Sequence, residues 1–155
     1  FNTVVKPIIK KYKLQATNFV IGYKTKTNNP LYLQKEDLKN DQYVEYYSHS
    51  YNMHHIGHLP YKKKIETMTI NEIKKDFEKN KGLVSTNYFA FPYGKLTQAN
   101  DLSISIACQK YKYVFSQSDY KHYYSFSGKV INRRHFEPFW PIAHVKYFLS
   151  CKKTY

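Results

Sequence analysis

Arginine is almost missing from this chain. Of 25 lysines and arginines, only Arg133 and Arg134 are arginine, although the formal net charge is +14. Arginine is the residue that reads phosphates and base edges with two parallel hydrogen bonds, so its scarcity argues against a specific nucleic-acid site despite the charge. A lysine-rich surface suits looser contact with anionic material such as a cell envelope. Cysteine is also scarce. Cys108 and Cys151 make neither a disulfide framework nor a zinc motif and read as two semi-buried free thiols. No apolar run reaches the ~18 residues of a membrane span. The longest, Phe139 to Cys151, is broken by Pro141, His144 and Lys146. No signal peptide is visible and the first residue is Phe, which reads as a processed product or a fragment.

What is present suffices for a folded domain. Hydrophobic residues make up 42% and aromatics 18% of 155 residues, which excludes a disordered chain and suits a single domain over residues 1–155. Val5, Ile8, Ile9 and Tyr12 recur at helical spacing, with Pro7 near the first turn and an end near Lys13. "ATNFVIG" and "QYVEYY" read as strands, separated by a polar stretch that turns at Asn28-Asn29-Pro30. Thr69 to Glu72 is a capping box, with Ile70, Ile73 and Phe77 as the apolar face behind it and Gly82 as a stop. "NYFAFPYG" is a strand closed by Pro92 and Gly94. A helix over 97–110 then leads to the strand "YKYVFS". Alternation of this kind predicts an α/β fold with mostly parallel strands. In such folds functional groups gather at the carboxyl ends of the strands.

Four of the seven histidines fall in "SHSYNMHHIGH", residues 48–58, directly after the second strand. His49 and His54 are five apart, ~140° around a helix, but on a loop leaving a strand they can converge. Imidazole is a good ligand for zinc-like ions, yet two ligands make a weak site and a third is needed. On these residues alone, a metal site and a histidine-rich surface loop both stand.

"SHSYNMH" resembles the second motif of the polysaccharide deacetylases, the carbohydrate esterase family 4 or NodB-homology enzymes. Its longer spacing is similar to the branch that deacetylates poly-β-1,6-N-acetylglucosamine in biofilms. "FAFPYG" resembles the third motif. "FNTVVKPIIKKYKLQATNFVIG" is similar to the helix and strand after the first motif, and "INRRHFEP" to a late strand. The resemblance spans about residues 1–138. It implies a distorted (β/α) barrel of the NodB-homology type, lacking its first strand, that hydrolyses the N-acetyl groups of an N-acetylglucosamine polysaccharide at the cell surface or outside the cell. It implies His49 and His54 as ligands of a divalent metal, usually zinc, and Ser50 as support for their loop. Tyr93, held by Pro92 and Gly94, would offer its backbone N–H to the oxyanion. His135 is a weak match to the catalytic acid and otherwise a surface or strand residue. Trp140 either lines an acetyl pocket or packs in the core; His55 and His58 are expected on the solvent side.

The departures from the pattern are specific. The first motif carries an Asp-Asp pair, general base and third metal ligand, and no such pair occurs in the chain. The arginine often found before the third motif's proline is replaced by Phe89-Ala90-Phe91. Activity is therefore expected to be impaired unless another carboxylate, Asp41 or Glu45, substitutes. Should the resemblance fail, the reading left is a basic binding module without chemistry, its 17 tyrosines acting as stacking platforms for an anionic polymer, wall or nucleic acid.

Overall fold

Five β-rich runs become five parallel strands in the computed structural model, which describes residues 1–53, 65–92, 101–117, 128–133 and 139–150. They are β1 (Ala16–Val20), β2 (Val44–Ser48), β3 (Ser85–Ala90), β4 (Tyr113–Gln117) and β5 (Val130–Arg133). Their order across the sheet is their order in the chain, and every neighbouring pair is parallel. Parallel neighbours need a crossover, and crossovers are nearly always right-handed. An unbroken sequential order therefore winds the chain one way and puts the crossover helices on one face. That is the wall of a (β/α) barrel rather than a doubly wound sheet, and it is the α/β architecture expected from the sequence.

The helices are α1 (Val5–Lys11), α2 (Ile70–Lys81), α3 (Asp101–Lys110) and α4 (Ile142–Ser150). The capping box starts α2 as expected: Thr69 Oγ1 accepts from the Glu72 N–H at 3.3 Å, and Glu72 Oε2 accepts from the Thr69 N–H at 2.7 Å. Gly82 ends the helix in ordinary backbone geometry (φ −80°). Ile73 and Phe77 are fully buried, but Ile70, the first residue of the helix, is exposed. In α1 only Ile9 is buried; Val5, Ile8 and the capping Tyr12 stay exposed, so the expected apolar face narrows to a single residue. Helix α4 was not foreseen. Pro141 stands just ahead of its first turn, where a proline is tolerated, instead of breaking the run.

The two faces of the sheet carry different chemistry. Toward the helices point Val44, Tyr46, Phe89, Phe91 and Val114, packed against Ile9 of α1, Ile73 and Phe77 of α2, and Ile104 and Ala107 of α3. Phe89 sits 4.9 Å from both Phe77 and Tyr111, ring centre to ring centre. Each such buried side chain contributes ~1.5–3 kcal/mol, with ~0.5–1.5 more for a good ring pair. The opposite face presents Phe19, Tyr47, Tyr88 and Phe115, linked ring to ring at 4.4 to 5.8 Å.

Candidate functional site

The carboxyl end of β2 departs from a regular ladder. Pairing with β3 jumps from Tyr47↔Ser85 to Ser48↔Phe89, an irregularity of the sort that re-aims a side chain at a strand end. His49 follows at once. Its backbone N–H still bonds the Val20 carbonyl at 2.9 Å, while its ring Nδ1 lies 2.6 Å from the carbonyl oxygen of Ala90, the last residue of β3. A carbonyl can only accept, so Nδ1 carries the proton and the lone pair sits on Nε2. A backbone carbonyl fixing one ring nitrogen in this way is the usual support of a metal-binding histidine. The residue therefore fits the role that the resemblance gave it.

The turn after His49 is tightly specified. Ser50 is fully buried in the left-handed region (φ 70°), and its Oγ accepts from the Met53 N–H at 3.1 Å. The loop support expected of Ser50 is thus present. The segment after β1 runs alongside, with Gly22 N–H bonding the Ser50 carbonyl at 3.1 Å and Tyr23 N–H bonding that of Tyr51 at 2.8 Å. The next two N–H groups, of Tyr51 and Asn52, both donate to the Asp76 carboxylate of α2 at 2.8 Å. Asp76 is buried. Burial pushes its carboxyl up from the ordinary carboxylate range, against the pull of the two amides.

Beneath the turn lies a second polar group. Ser48 Oγ accepts from Asn80 Nδ2 at 2.7 Å and from the Tyr111 hydroxyl at 3.3 Å. Burial raises the Tyr111 phenol to about 12. Asn80 Oδ1 has no hydrogen-bond partner and faces Gly22, where an added Cβ would come within 2.0 Å of it. None of Asp76, Asn80 or Tyr111 was singled out by the sequence reading. The signal for two of them exists: Asp76 and Asn80 stand three and seven residues after Ile73, at core positions of an amphipathic helix, and polar residues rarely fill such positions without a partner.

Arg133, at the end of β5, was likewise passed over as a site residue. Its guanidinium lies 5.3 Å from the Phe19 ring centre and 5.9 Å from that of Phe115, and burial lowers its pKa. The Phe19 ring is also 6.4 Å from the His49 ring, so the carboxyl ends of β1, β2, β4 and β5 converge on one aromatic patch.

The other expected residues divide. Pro92 is fully buried just past β3, on the strand whose Ala90 carbonyl His49 engages. Trp140 stands half-buried in the turn before α4. His54, Tyr93 and His135, with His55 and His58, lie outside the described residues. Among the described residues no group of three histidines, cysteines, aspartates or glutamates gathers to hold a metal. Cys108 is a free thiol, as expected, but buried rather than semi-buried; Cys151 lies outside the described residues.

Asp41 and Glu45 do not substitute for the Asp-Asp pair. Asp41 sits at the amino end of β2, whose five residues put roughly 13 Å between it and the histidine end. There it accepts from the N–H groups of Tyr43 and Val44 and pairs with Lys6 at 3.1 Å. Glu45 accepts from the Tyr47 hydroxyl at 3.1 Å. A cavity of about 430 Å³ opens beside both, lined by Gln15, Thr17 and Gln42. It too is at the amino ends of the strands, away from His49.

Comparison with known proteins now bears on this geometry. The polysaccharide deacetylase family model matches residues 1–111. A solved structure of a de-N-acetylase from Aggregatibacter actinomycetemcomitans superposes with a TM-score of 0.67 at 16% identity, over 94% of this chain and 69% of that one. That likeness extends the shared fold well beyond the matched residues, through β4 and β5. A search of curated proteins finds no match. A model match over most of the chain, on the fold of a de-N-acetylase, shows that this chain belongs to the polysaccharide deacetylase family, whose members are hydrolases and in general metal-dependent.

Proposed function

We propose that the chain serves zinc-dependent removal of N-acetyl groups from an N-acetylglucosamine polymer, with poly-β-1,6-N-acetylglucosamine of a biofilm as the favoured substrate. The observation that carries this reading is the His49 ring. It is fixed by the Ala90 carbonyl at the end of β3, in the tautomer a metal takes. His49 and His54 would hold the ion. When bound, a divalent metal polarises the acetamide carbonyl and brings the pKa of a coordinated water from 15.7 towards ~7. The chain's own contribution would be positioning: Pro92 is buried just past β3, and Tyr93 would offer its N–H to the oxyanion. Trp140 would border the acetyl group, and His135 would protonate the leaving amine. The 155 residues contain no Asp-Asp pair, so turnover by these residues alone should be slow. With a polymer substrate, the working place would be the cell surface or the extracellular space, where the lysine-rich surface would rest weakly on anionic envelope material.

The test is acetate release from an N-acetylglucosamine oligomer, with and without added zinc or cobalt. It is run on the chain and on a form extended upstream. The extended form should be faster by ~10²–10⁴, the usual worth of a general base. His49→Ala should reduce its kcat/KM by on the order of 100-fold or more, beyond what loss of a supporting residue costs. Turnover indifferent to added metal and to His49→Ala would overturn the reading.

A further inference from the structure

Arg133 is a costly residue where it stands. It is one of only two arginines in a chain whose positive charge is otherwise lysine. It ends β5, two residues beyond Ile131, the parallel partner of Phe115, and therefore shares the face of the sheet on which those two side chains lie. There its guanidinium rests over two rings that are themselves 5.2 Å apart, Phe19 of β1 and Phe115 of β4. Its Nε is buried and has no hydrogen-bond partner among the described residues. No ion pair among the described residues includes it either, and burial is what lowers its pKa. Two neutral rings attract a cation without neutralising it, and a partly buried charge without its counterion costs stability. An apolar side chain would pack on Phe19 and Phe115 at less cost.

The chemistry of the cluster limits which anion suits it. A guanidinium offers its N–H groups in one plane, a fork that matches the two oxygens of a carboxylate. The phenylalanine rings beside it suit a short alkyl group. Phe19 is also a neighbour of the His49 ring, at 6.4 Å, so the cation stands in the same cluster of strand ends as that histidine. The family's hydrolysis adds water across the acetamide C–N bond. The hydroxyl goes to the carbonyl carbon and the amine leaves with a proton, so that near neutral pH the products are an acetate ion and an ammonium group on the sugar. We propose that Arg133 is a binding site for the released acetate, with the guanidinium on its carboxylate and Phe19 and Phe115 beside its methyl group. The same cation repels the ammonium left on the polymer, so one side chain holds one product and pushes off the other. This role rests on N-acetyl hydrolysis but on no particular metal or polymer. Acetate binding is measured without turnover, so its failure and a failure of the activity are told apart.

The scarcity of arginine makes the test direct. With two arginines in the chain, the ¹⁵N-labelled protein has two Nε–H resonances, and Arg134→Lys assigns them. The full 155-residue chain is titrated with sodium acetate, with sodium chloride to the same ionic strength, and with glucuronate, a carboxylate carried on a sugar. Saturation transfer from protein to the acetate methyl gives a second reading that does not need the arginine. Acetate should shift the Arg133 Nε–H saturably, chloride should not, and glucuronate should bind at least about tenfold more weakly. Arg133→Lys keeps the charge and loses the planar fork. It should weaken acetate about tenfold or more, the worth of one hydrogen bond to a charged group. The wild-type titration decides the matter even where that variant fails to fold. An Nε–H that does not move with acetate would overturn the proposal, and so would equal acetate affinity in folded Arg133→Lys. Chloride acting as acetate does would overturn it by showing simple attraction of anions. Glucuronate binding as tightly as acetate would overturn the product role and assign the site to a carboxylate of the polymer.

Discussion

The two ends of β2 use the same hydrogen-bond device in opposite circumstances. At the amino end Asp41 accepts from the N–H groups of Tyr43 and Val44; past the carboxyl end Asp76 accepts from those of Tyr51 and Asn52. In both cases one carboxylate takes two nearby backbone donors. Yet the Tyr43 and Val44 amides, helped by Lys6, lower Asp41 to about 2, whereas Asp76 is raised. The difference is water. Asp41 is exposed, so its hydrogen bonds and its lysine outweigh the little hydration that its charged form loses. Asp76 is shut in between α2 and the turn, and loss of hydration outweighs two good amides. The first arrangement is a stable chain turn. The second spends stability to hold a backbone still, which is the trade expected where geometry matters to a bound group.

The sharpest way to break this contrast is to disturb the crowded end where it has no slack. A Cβ at Gly22 would stand 2.0 Å from Asn80 Oδ1, 2.9 Å from the Tyr51 ring and 3.0 Å from Leu83. Gly22→Ala must therefore push Asn80 off Ser48 or push the Tyr51 turn outward. Overpacking of this kind costs ~1–3 kcal/mol, and a severed buried hydrogen bond adds ~1–3. The expected outcome is a melting temperature lower by several degrees. Gly82, with open space around its Cα, is the matched control: Gly82→Ala should leave it unchanged.

The same contrast explains which parts of the protein were legible in the sequence. The Thr69–Glu72 capping box and the strands "ATNFVIG" and "QYVEYY" were legible because their signals are local in the chain; Asp41, whose partners lie only two and three residues on, was named as a stand-in carboxylate and not as a turn residue. His49 was singled out because its spacing to His54 resembles a family motif. Asp76 was not, because its partners lie 24 and 25 residues earlier and only the packing of α2 on the sheet brings them together. Arg133 was hidden for the same reason: its two rings come from β1 and β4. Ile70, Val5 and Ile8 erred the other way. Periodicity marks the apolar side of a helix but not how much of that side a neighbour covers.

A smaller effect tests the network under the turn. Tyr111→Phe removes the hydroxyl that donates to Ser48 Oγ at 3.3 Å while keeping the ring against Phe77 and Phe89. A long hydrogen bond of this sort is worth about 0.5–1.5 kcal/mol. The pH dependence carries a sign. Burial lifts the Tyr111 phenol from 10.0 to about 12, so its contribution is fully present below pH 10 and is lost as pH rises through about 12. Denaturant midpoints of wild type and Tyr111→Phe should therefore differ most near neutrality and converge between pH 10 and 12. A constant offset across that window would show that the hydroxyl is not the group responsible.

The least effect is expected at the exposed end. Asp41→Asn keeps one acceptor for the Tyr43 and Val44 amides but gives up the charge that faces Lys6 at 3.1 Å and Lys10 at 3.9 Å. Exposed ion pairs contribute little and are screened by salt, so stability near neutral pH should barely move, and less still at high ionic strength. The acid limb is where the residue shows itself. Its folded pKa of about 2 lies below the ordinary 3.8. The stabilising contribution is therefore complete above pH 3.8 and disappears as pH falls through about 2, because the unfolded chain takes up the proton first. Thermal melts of wild type and Asp41→Asn taken from pH 6 down to pH 2 should show at most a slight offset at the top of that range and merge at the bottom. Amide exchange at Tyr51 and Asn52, measured at neutral pH, should be the same in both. A change in that exchange would mean that the amino end of β2 is coupled to the histidine end, and the separation between a turn that only folds the chain and a turn that holds the site would fail.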